Sequence, residues 1–532
     1  MIDLLDSTSI ALPTVERRTT RAWRRLQRIR SRPWGDPALA GVFGLVVSVA
    51  FSWVPSVWYD ESATVVSAER TYGELWAEIH HVDAVHAVYY ALMHAWFALV
   101  GYSPFSLRLP SAVAIGVGAA LVVLLARELT DRRTGLVAGL LFVLLPRITW
   151  AGTEGRSYAT ATALATALTL VFVHASKRSL ADRARHRRWW TLYGVLALLS
   201  TAVFLYSALV VVAHGIALAL WARRSRRASR TTPWKAAMGG WLVSAGIAGL
   251  LLIPLAKLSS SESHQIGWIS KPSLATVNSF LVTQWFTGND GFAWFGWALA
   301  AVGVVAVVRK GARYNEPNVL QVALPWLLVP ALGLIAVSIV SNPLYSPRYV
   351  TEAAPAIAIL MAVGLTSLRL RPLIALGLVA ALGLSVPTWV QQRMPEAKDD
   401  SSWAQVASLV KTERAAERKA DGPGVVDSIV YGYLRRHPTG SARNIAYSYP
   451  SAFTGMVDVT LKTPAAQTGE LWETRYPLSK TIDRVDGSKY VWLVTSNKQD
   501  LRPSVTKALA TEGYHVINQW HLTRVNIVRY AK

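Results

Sequence analysis

The chain has 532 residues, 52% of them hydrophobic and only 16% charged, with 22 tryptophans and no cysteine. Apolar runs this long and numerous exclude an ordinary water-soluble domain, and the lack of cysteine excludes disulfides, thiol nucleophiles and thiolate metal sites. The net charge of +23 would point to nucleic acid in a soluble chain. Here the excess Lys and Arg flank apolar runs, where they set membrane orientation, so no nucleic-acid partner is expected.

Taken in order, residues 1–36 are a basic tail holding Arg17, Arg18, Arg21, Arg24, Arg25, Arg28, Arg30 and Arg32. The apolar run from near Ala38 is as long as a bilayer is thick and lacks the short core and cleavage site of a secretory signal, which predicts an uncleaved first span, 37–57, behind a cytoplasmic tail. Residues 58–104 hold one apolar segment, Ala87 to Gly101, containing Tyr89, Tyr90, His94 and Trp96 and short of a straight crossing. If it crossed, Arg127, Arg132 and Arg133 would fall on the outer face; an interfacial helix keeps them inside. Spans are then expected at 105–126, 134–149, 158–175, 189–204, 206–222, 236–256, 291–308, 319–341, 350–368 and 372–389, about eleven crossings in all. The run 189–222 is too long for one span and reads as a hairpin around Phe204 to Ser207, with Tyr206 and Ser207 as plain turn residues.

This topology puts the basic loops in the cytoplasm of a multi-pass cell-membrane protein. The loop with Asp60 and Glu61, the turn Trp150 to Tyr158, the loop 257–290 and the turn Asn342 to Tyr349 gather outside. From about residue 390 the composition turns soluble: 401–420 has helical spacing, and 490–495 and 516–529 read as strands around a helix near 503–511. The expected fold is therefore mostly α and polytopic, a transmembrane catalytic part (37–389) followed by a small extracytoplasmic α/β domain (390–532). The sequence shows no internal repeat.

The chemistry is expected to begin at Trp58-Tyr59-Asp60-Glu61-Ser62, because carboxylates at the mouth of a span are costly unless they face water, substrate or a cation. A carboxylate can take the proton of an attacking hydroxyl, and guanidinium groups match the oxygens of a departing phosphate. Together they suit sugar transfer from a lipid-phosphate donor by one inverting displacement. Blander readings stand beside this: Asp60 and Glu61 as a solvated cap, Glu154 and Arg156 as an ion pair closing a turn, Arg348 as a headgroup anchor. His80, His81, Asp83 and His86 carry metal-ligand chemistry without metal-site spacing. In the loop 257–290, His264, Gln265, Trp268, Gln284 and Trp285 suit sugar binding or an interfacial aromatic belt.

The segments Tyr59-Asp60-Glu61, His86 to Tyr90, Ser106 to Ser111, Glu154 to Tyr158 and Pro347-Arg348-Tyr349 resemble, in order and position, the integral-membrane glycosyltransferases of the protein O-mannosyltransferase and aminoarabinose transferase superfamily. The likeness covers about 37–370 and departs where Ala87-Val88 replaces a pair of prolines. It implies the multi-span GT-C fold with interfacial helices in the first outer loop, and a polyprenyl- or dolichyl-phosphate sugar donor. It also implies Asp60 as base, Glu61 as its orienting partner, Glu154 as second carboxylate, and Arg156 and Arg348 at the phosphate. Tyr59, His86, Tyr89, Tyr158, Tyr349, Gln265 and Trp268 would line the pocket. Mannose is the sugar expected from the likeness, while arabinose, galactose or glucose fit the residues equally well, and the acceptor would be a cell-envelope glycan, glycolipid or protein. Two carboxylates near a phosphate can also hold Mg²⁺ or Mn²⁺. The competing reading is a transporter or flippase for lipid-linked sugars, which should place polar groups at the bilayer midplane.

Overall fold

The computed structural model describes residues 32–179, 183–227, 234–262, 269–311, 316–435 and 440–532. Helices occupy the segments expected to cross: Gly35–Val49, Pro104–Leu129, Arg132–Leu144, Tyr158–Lys177, Arg183–Val203, Ala208–Arg227, Trp234–Ser261, Asp290–Lys310, Val319–Val340, Ala354–Ser367 and Arg371–Gln391. Among the described residues, eight helical segments are long and apolar enough to cross a bilayer by length and composition. The hairpin in 189–222 breaks at Phe204, whose extended backbone (φ −151°, ψ 104°) separates two helices. Close helix approach rests on small residues: a β-carbon on Gly116 would stand 2.9 Å from the carbonyl oxygen of Gly41.

Two segments differ from expectation for local reasons. The helix expected over 134–149 stops at Leu144, because Pro146 drives Leu145 out of the helical region (ψ 126°). The same proline opens the short helix Pro146–Ala151, which turns the chain so that Arg147 points inward. The long loop expected from 257 is partly helical: Trp234–Ser261 overruns it, and Leu274–Asn278 and Gln284–Phe286 follow. Between the first two spans, Tyr59–Ala68, Tyr72–Glu78 and Ala87–Val100 form three short helices, the second closed by a Thr71/Glu74 capping box.

The bundle has two unlike ends. At one, Arg132 pairs with Asp36 (2.5 Å), Lys177 with Glu128 and Glu316 (both 3.2 Å), Arg127 donates to the Pro33 carbonyl and Arg133 to that of Arg369. At the other lie Asp60, Glu154 and Arg348, covered by the C-terminal unit. That unit is a five-stranded sheet in the order Val457–Asp458, Asp427–Tyr431, Tyr490–Ser496, Val525–Ala531, His515–Leu522. The first three strands run parallel and the last two pair antiparallel, so 516–529 is a hairpin turned at Thr523-Arg524. Alternating side chains bury Trp492 and Val494 with Trp403, Val406 and Val410 of helix Trp403–Asp421, and Val491 and Leu493 with Val505 and Leu509 of Arg502–Thr511.

Candidate active site

Trp58 is extended (φ −129°, ψ 178°) and starts the helix Tyr59–Ala68, so Asp60 and Glu61 fall in its first turn, where free N–H groups favour carboxylates. The two acids then diverge. Asp60 Oδ2 accepts from Arg348 Nη1 at 2.7 Å, and both side chains keep 19% exposure. Glu61 is fully buried and takes both Nε and Nη2 of Arg108, at 2.8 and 2.6 Å. Arg108 spends its remaining donors on the carbonyls of Ser52, Pro55 and Ser56, fixing the turn that leads from the first span.

Glu61 also accepts from the Gly155 N–H (2.8 Å) and faces Lys398 Nζ at 3.2 Å. Lys398 in turn bonds Glu154 and the Thr153 carbonyl. The other Glu154 oxygen accepts from Trp58 Nε1 at 3.1 Å. Burial pushes the Glu61 carboxyl up, but Arg108 and Lys398 outweigh it and hold the group well below the usual range. Burial raises Glu154, opposed by Lys398 and reinforced by Glu61. Glu61 and Glu154, expected to act in catalysis, are therefore closed into a buried charge cluster, and of the three acids only Asp60 reaches open space.

Arg156, expected at the phosphate, is also closed off. Its Nη1 donates to the Asp60 carbonyl (3.1 Å), Thr64 (3.3 Å) and the Tyr90 hydroxyl (3.0 Å), and its Nη2 donates to His86 Nε2 (2.6 Å). Burial, then Arg156 and Arg348, push the His86 imidazole well below its ordinary value, so it stays neutral and accepts. Tyr90 passes the network on to Asp83 at 2.7 Å. Arg156 and His86 thus hold the backbone of Asp60, while Tyr89, at 2% exposure, packs beneath them and lines no open surface.

Arg348 stands on the turn Pro347–Ala353 over an aromatic floor, with its guanidinium carbon 5.7 Å from the Trp58 ring and 5.5 Å from Tyr349. Tyr349 stacks on Tyr158 (6.5 Å) and meets Tyr206 (5.3 Å), and Ser207 bonds Glu352. Tyr206 and Ser207 are therefore part of the site wall as well as of the turn. Tyr59 accepts from Trp472 Nε1 at 2.8 Å, joining the site to the C-terminal unit. Gln265 and Trp268 lie outside the described residues.

The sequence reading also missed Arg147, Arg108 and Lys398. Arg147 is 6% exposed, donates to the carbonyls of Gln284 (2.9 Å) and Thr283 (2.8 Å), and lies 4.9 Å from Trp150. No carboxylate pairs with it among the described residues, and Tyr158 and Arg348 are within its electrostatic reach. Among the described residues no three His, Asp or Glu gather to hold a metal. Nδ1 of His80 and of His81 bonds a carbonyl of its own helix. Asp60, Glu61 and Glu154 each face a cation, so these three carboxylates do not fit a protein-held divalent ion, and no step is routed through one.

The sequence signature described as dolichyl-phosphate-mannose-protein mannosyltransferase matches residues 86–253. No protein of curated function matches by sequence. Among solved structures, the chain is similar to ArnT from Cupriavidus metallidurans in the apo state, with TM-score 0.55 and 14% identity over 92% of this chain and 97% of that one. It is likewise similar to the same protein bound to undecaprenyl phosphate, with TM-score 0.53 and 14% identity over 94% and 98%. The oligosaccharyltransferase of Archaeoglobus fulgidus gives TM-score 0.45 and 12% identity over 86% and 68%. The likeness read from the motifs is borne out: the chain has the ArnT fold.

Proposed function

We propose that this protein is an inverting glycosyltransferase that moves a sugar from a polyprenyl-phosphate donor to an acceptor hydroxyl. One observation carries the reading: a carboxylate and a guanidinium, Asp60 and Arg348, form a partly exposed pair at 2.7 Å beside the buried cluster of Glu61, Glu154, Arg108 and Lys398. The fold it shares with a protein crystallised with undecaprenyl phosphate supports the donor class.

In this reaction Asp60 takes the proton of the acceptor hydroxyl, whose oxygen forms a bond to the anomeric carbon from the face opposite the phosphate. The bond from that carbon to the phosphate oxygen breaks, and the phosphate leaves with the electron pair. Arg348 and Arg147 neutralise it, the latter being a buried cation with no carboxylate partner among the described residues. Glu61, Arg108, Lys398, Glu154, Arg156 and His86 hold Asp60 in place. Mannose is the sugar suggested by the matching signature, and the acceptor belongs to the cell envelope. The end rich in Lys and Arg faces the cytoplasm and the Asp60 end faces outward, which places the N-terminal tail inside and the C-terminal domain outside.

The test is to incubate purified protein with radiolabelled polyprenyl-phosphate sugars and membrane acceptors. Asp60→Asn should fold and bind donor but transfer nothing. Undiminished transfer by this variant overturns the assignment, and donor translocation without transfer identifies a flippase instead.

A further inference from the structure

A cleft opens between the outer-loop dipeptide Trp58-Tyr59 and the C-terminal unit. Its far wall is built from Tyr433 and Thr495-Ser496, where the parallel strands Asp427–Tyr431 and Tyr490–Ser496 end, together with Asp400, Trp403 and Arg435. Open parallel sheets present ligand crevices beyond the carboxyl ends of their strands. The near wall is shared with the active site, since Trp58 bonds Glu154 and carries Arg348 over its ring, and Asp60 follows two residues later.

We propose that this cleft binds the acceptor and that the acceptor is a neutral glycan chain, a conclusion that rests on the transferase reading. Indole and phenol faces suit the apolar faces of pyranose or furanose rings, while carboxylates and guanidinium groups bond their hydroxyls. Two carboxylates, Asp399 and Asp400, balance two guanidinium groups, Arg435 and Arg524, so the lining carries no net charge toward an ionic ligand. A peptide that binds by adding a strand would lie along a sheet edge. The cleft offers strand ends instead, the sheet's edge strands being Val457–Asp458 and His515–Leu522.

The wall is preformed. Asp399, Asp400 and Arg524 all sit at positive φ (52°, 49° and 66°), a conformation that non-glycine residues adopt uncommonly and that the surrounding contacts must hold. Arg524 holds both acids, meeting Asp399 Oδ2 at 2.9 Å and bonding Asp400 directly. Asp400 still leaves 65% of its side chain exposed and Tyr433 is 37% exposed, so both remain available to a ligand.

The experiment uses the full chain in nanodiscs. It measures binding and transfer with fluorescent neutral oligosaccharides (mannan, arabinan, galactan and glucan fragments) and with a Ser/Thr-rich peptide. One oligosaccharide class should bind. Tyr433→Ala and Asp400→Ala should each raise its KM about tenfold or more with kcat and donor binding little changed, while Tyr433→Phe behaves as wild type. Asp60→Asn should keep oligosaccharide affinity and lose transfer. If the Ala variants leave the acceptor KM unchanged, or the peptide alone binds, the cleft assignment falls while the transferase reading stands. If oligosaccharide binds through Tyr433 and Asp400 but wild type never transfers to it, the cleft assignment stands and the transferase reading falls.

Discussion

Among the described residues, Lys398 is the one cation paired with both buried acids of the site, Glu61 and Glu154. Removing a partner from a buried ion cluster leaves charge uncompensated at a cost of about 3–5 kcal/mol. Lys398→Met should therefore lower the thermal unfolding midpoint in detergent and abolish transfer, whereas Lys398→Arg recovers part of the stability. Arg147→Met should leave the fold intact, because its two bonds go to carbonyls, yet raise donor KM by about tenfold to a hundredfold, the worth of one charge-assisted contact. Steady-state kinetics over a donor titration decide this, and an unchanged KM removes Arg147 from the phosphate. Arg108 was legible in advance as a guanidinium inside an apolar span. Lys398 was not, because it lies in the polar stretch Glu396-Ala397-Lys398-Asp399-Asp400, where one more charge attracts no notice and only tertiary packing selects it.

At the scale of elements, apolar length and the break at Phe204 were readable because a membrane helix must satisfy its backbone internally. The register of short elements was less so. The end of the third expected span turns on one Leu145-Pro146 peptide, and the helices Tyr59–Ala68 and Tyr72–Glu78 are too short and mixed to show a period. These short helices carry a pH dependence. Arg70 of this loop donates to the carbonyls of Ala465, Glu470 and Leu471 in the C-terminal unit and pairs with Glu78 at 3.0 Å. Burial, only partly opposed by Arg70, pushes the Glu78 carboxyl from its ordinary 4.5 to about 7. A carboxyl with a raised folded pKa contributes most below its unfolded value, and that contribution is lost as pH rises through the folded one. The melting temperature of wild type relative to Glu78→Gln should thus decline between about pH 4.5 and 7. A difference that stays constant with pH shows that Glu78 is not the titrating group.

Taken whole, the molecule sorts its charges to two ends and lays its soluble unit over one of them. Tyr449 accepts from the Val57 N–H (2.9 Å), Tyr102 donates to the Ser448 carbonyl (2.8 Å) and the Pro395 carbonyl accepts from Ser56 N–H (2.7 Å). The C-terminal unit is thereby tied to the segment that carries Asp60. A chain ending after Gln391 should lose transfer and elute as aggregate on gel filtration in detergent, because it lacks Lys398 as well as the sheet. Monodisperse, active protein from this truncation would show the unit to be an independent appendage. The distance along the chain between Glu61 and Lys398 has a consequence for biosynthesis. The ribosome makes the two acids and Arg108 early, but the lysine that completes them emerges only after the last span. Nascent chains arrested short of residue 398 should consequently be protease-sensitive around residues 150–160 and become resistant once synthesis passes that point. On the proposed function, a chain whose synthesis has not passed residue 398 then stays silent in sugar transfer.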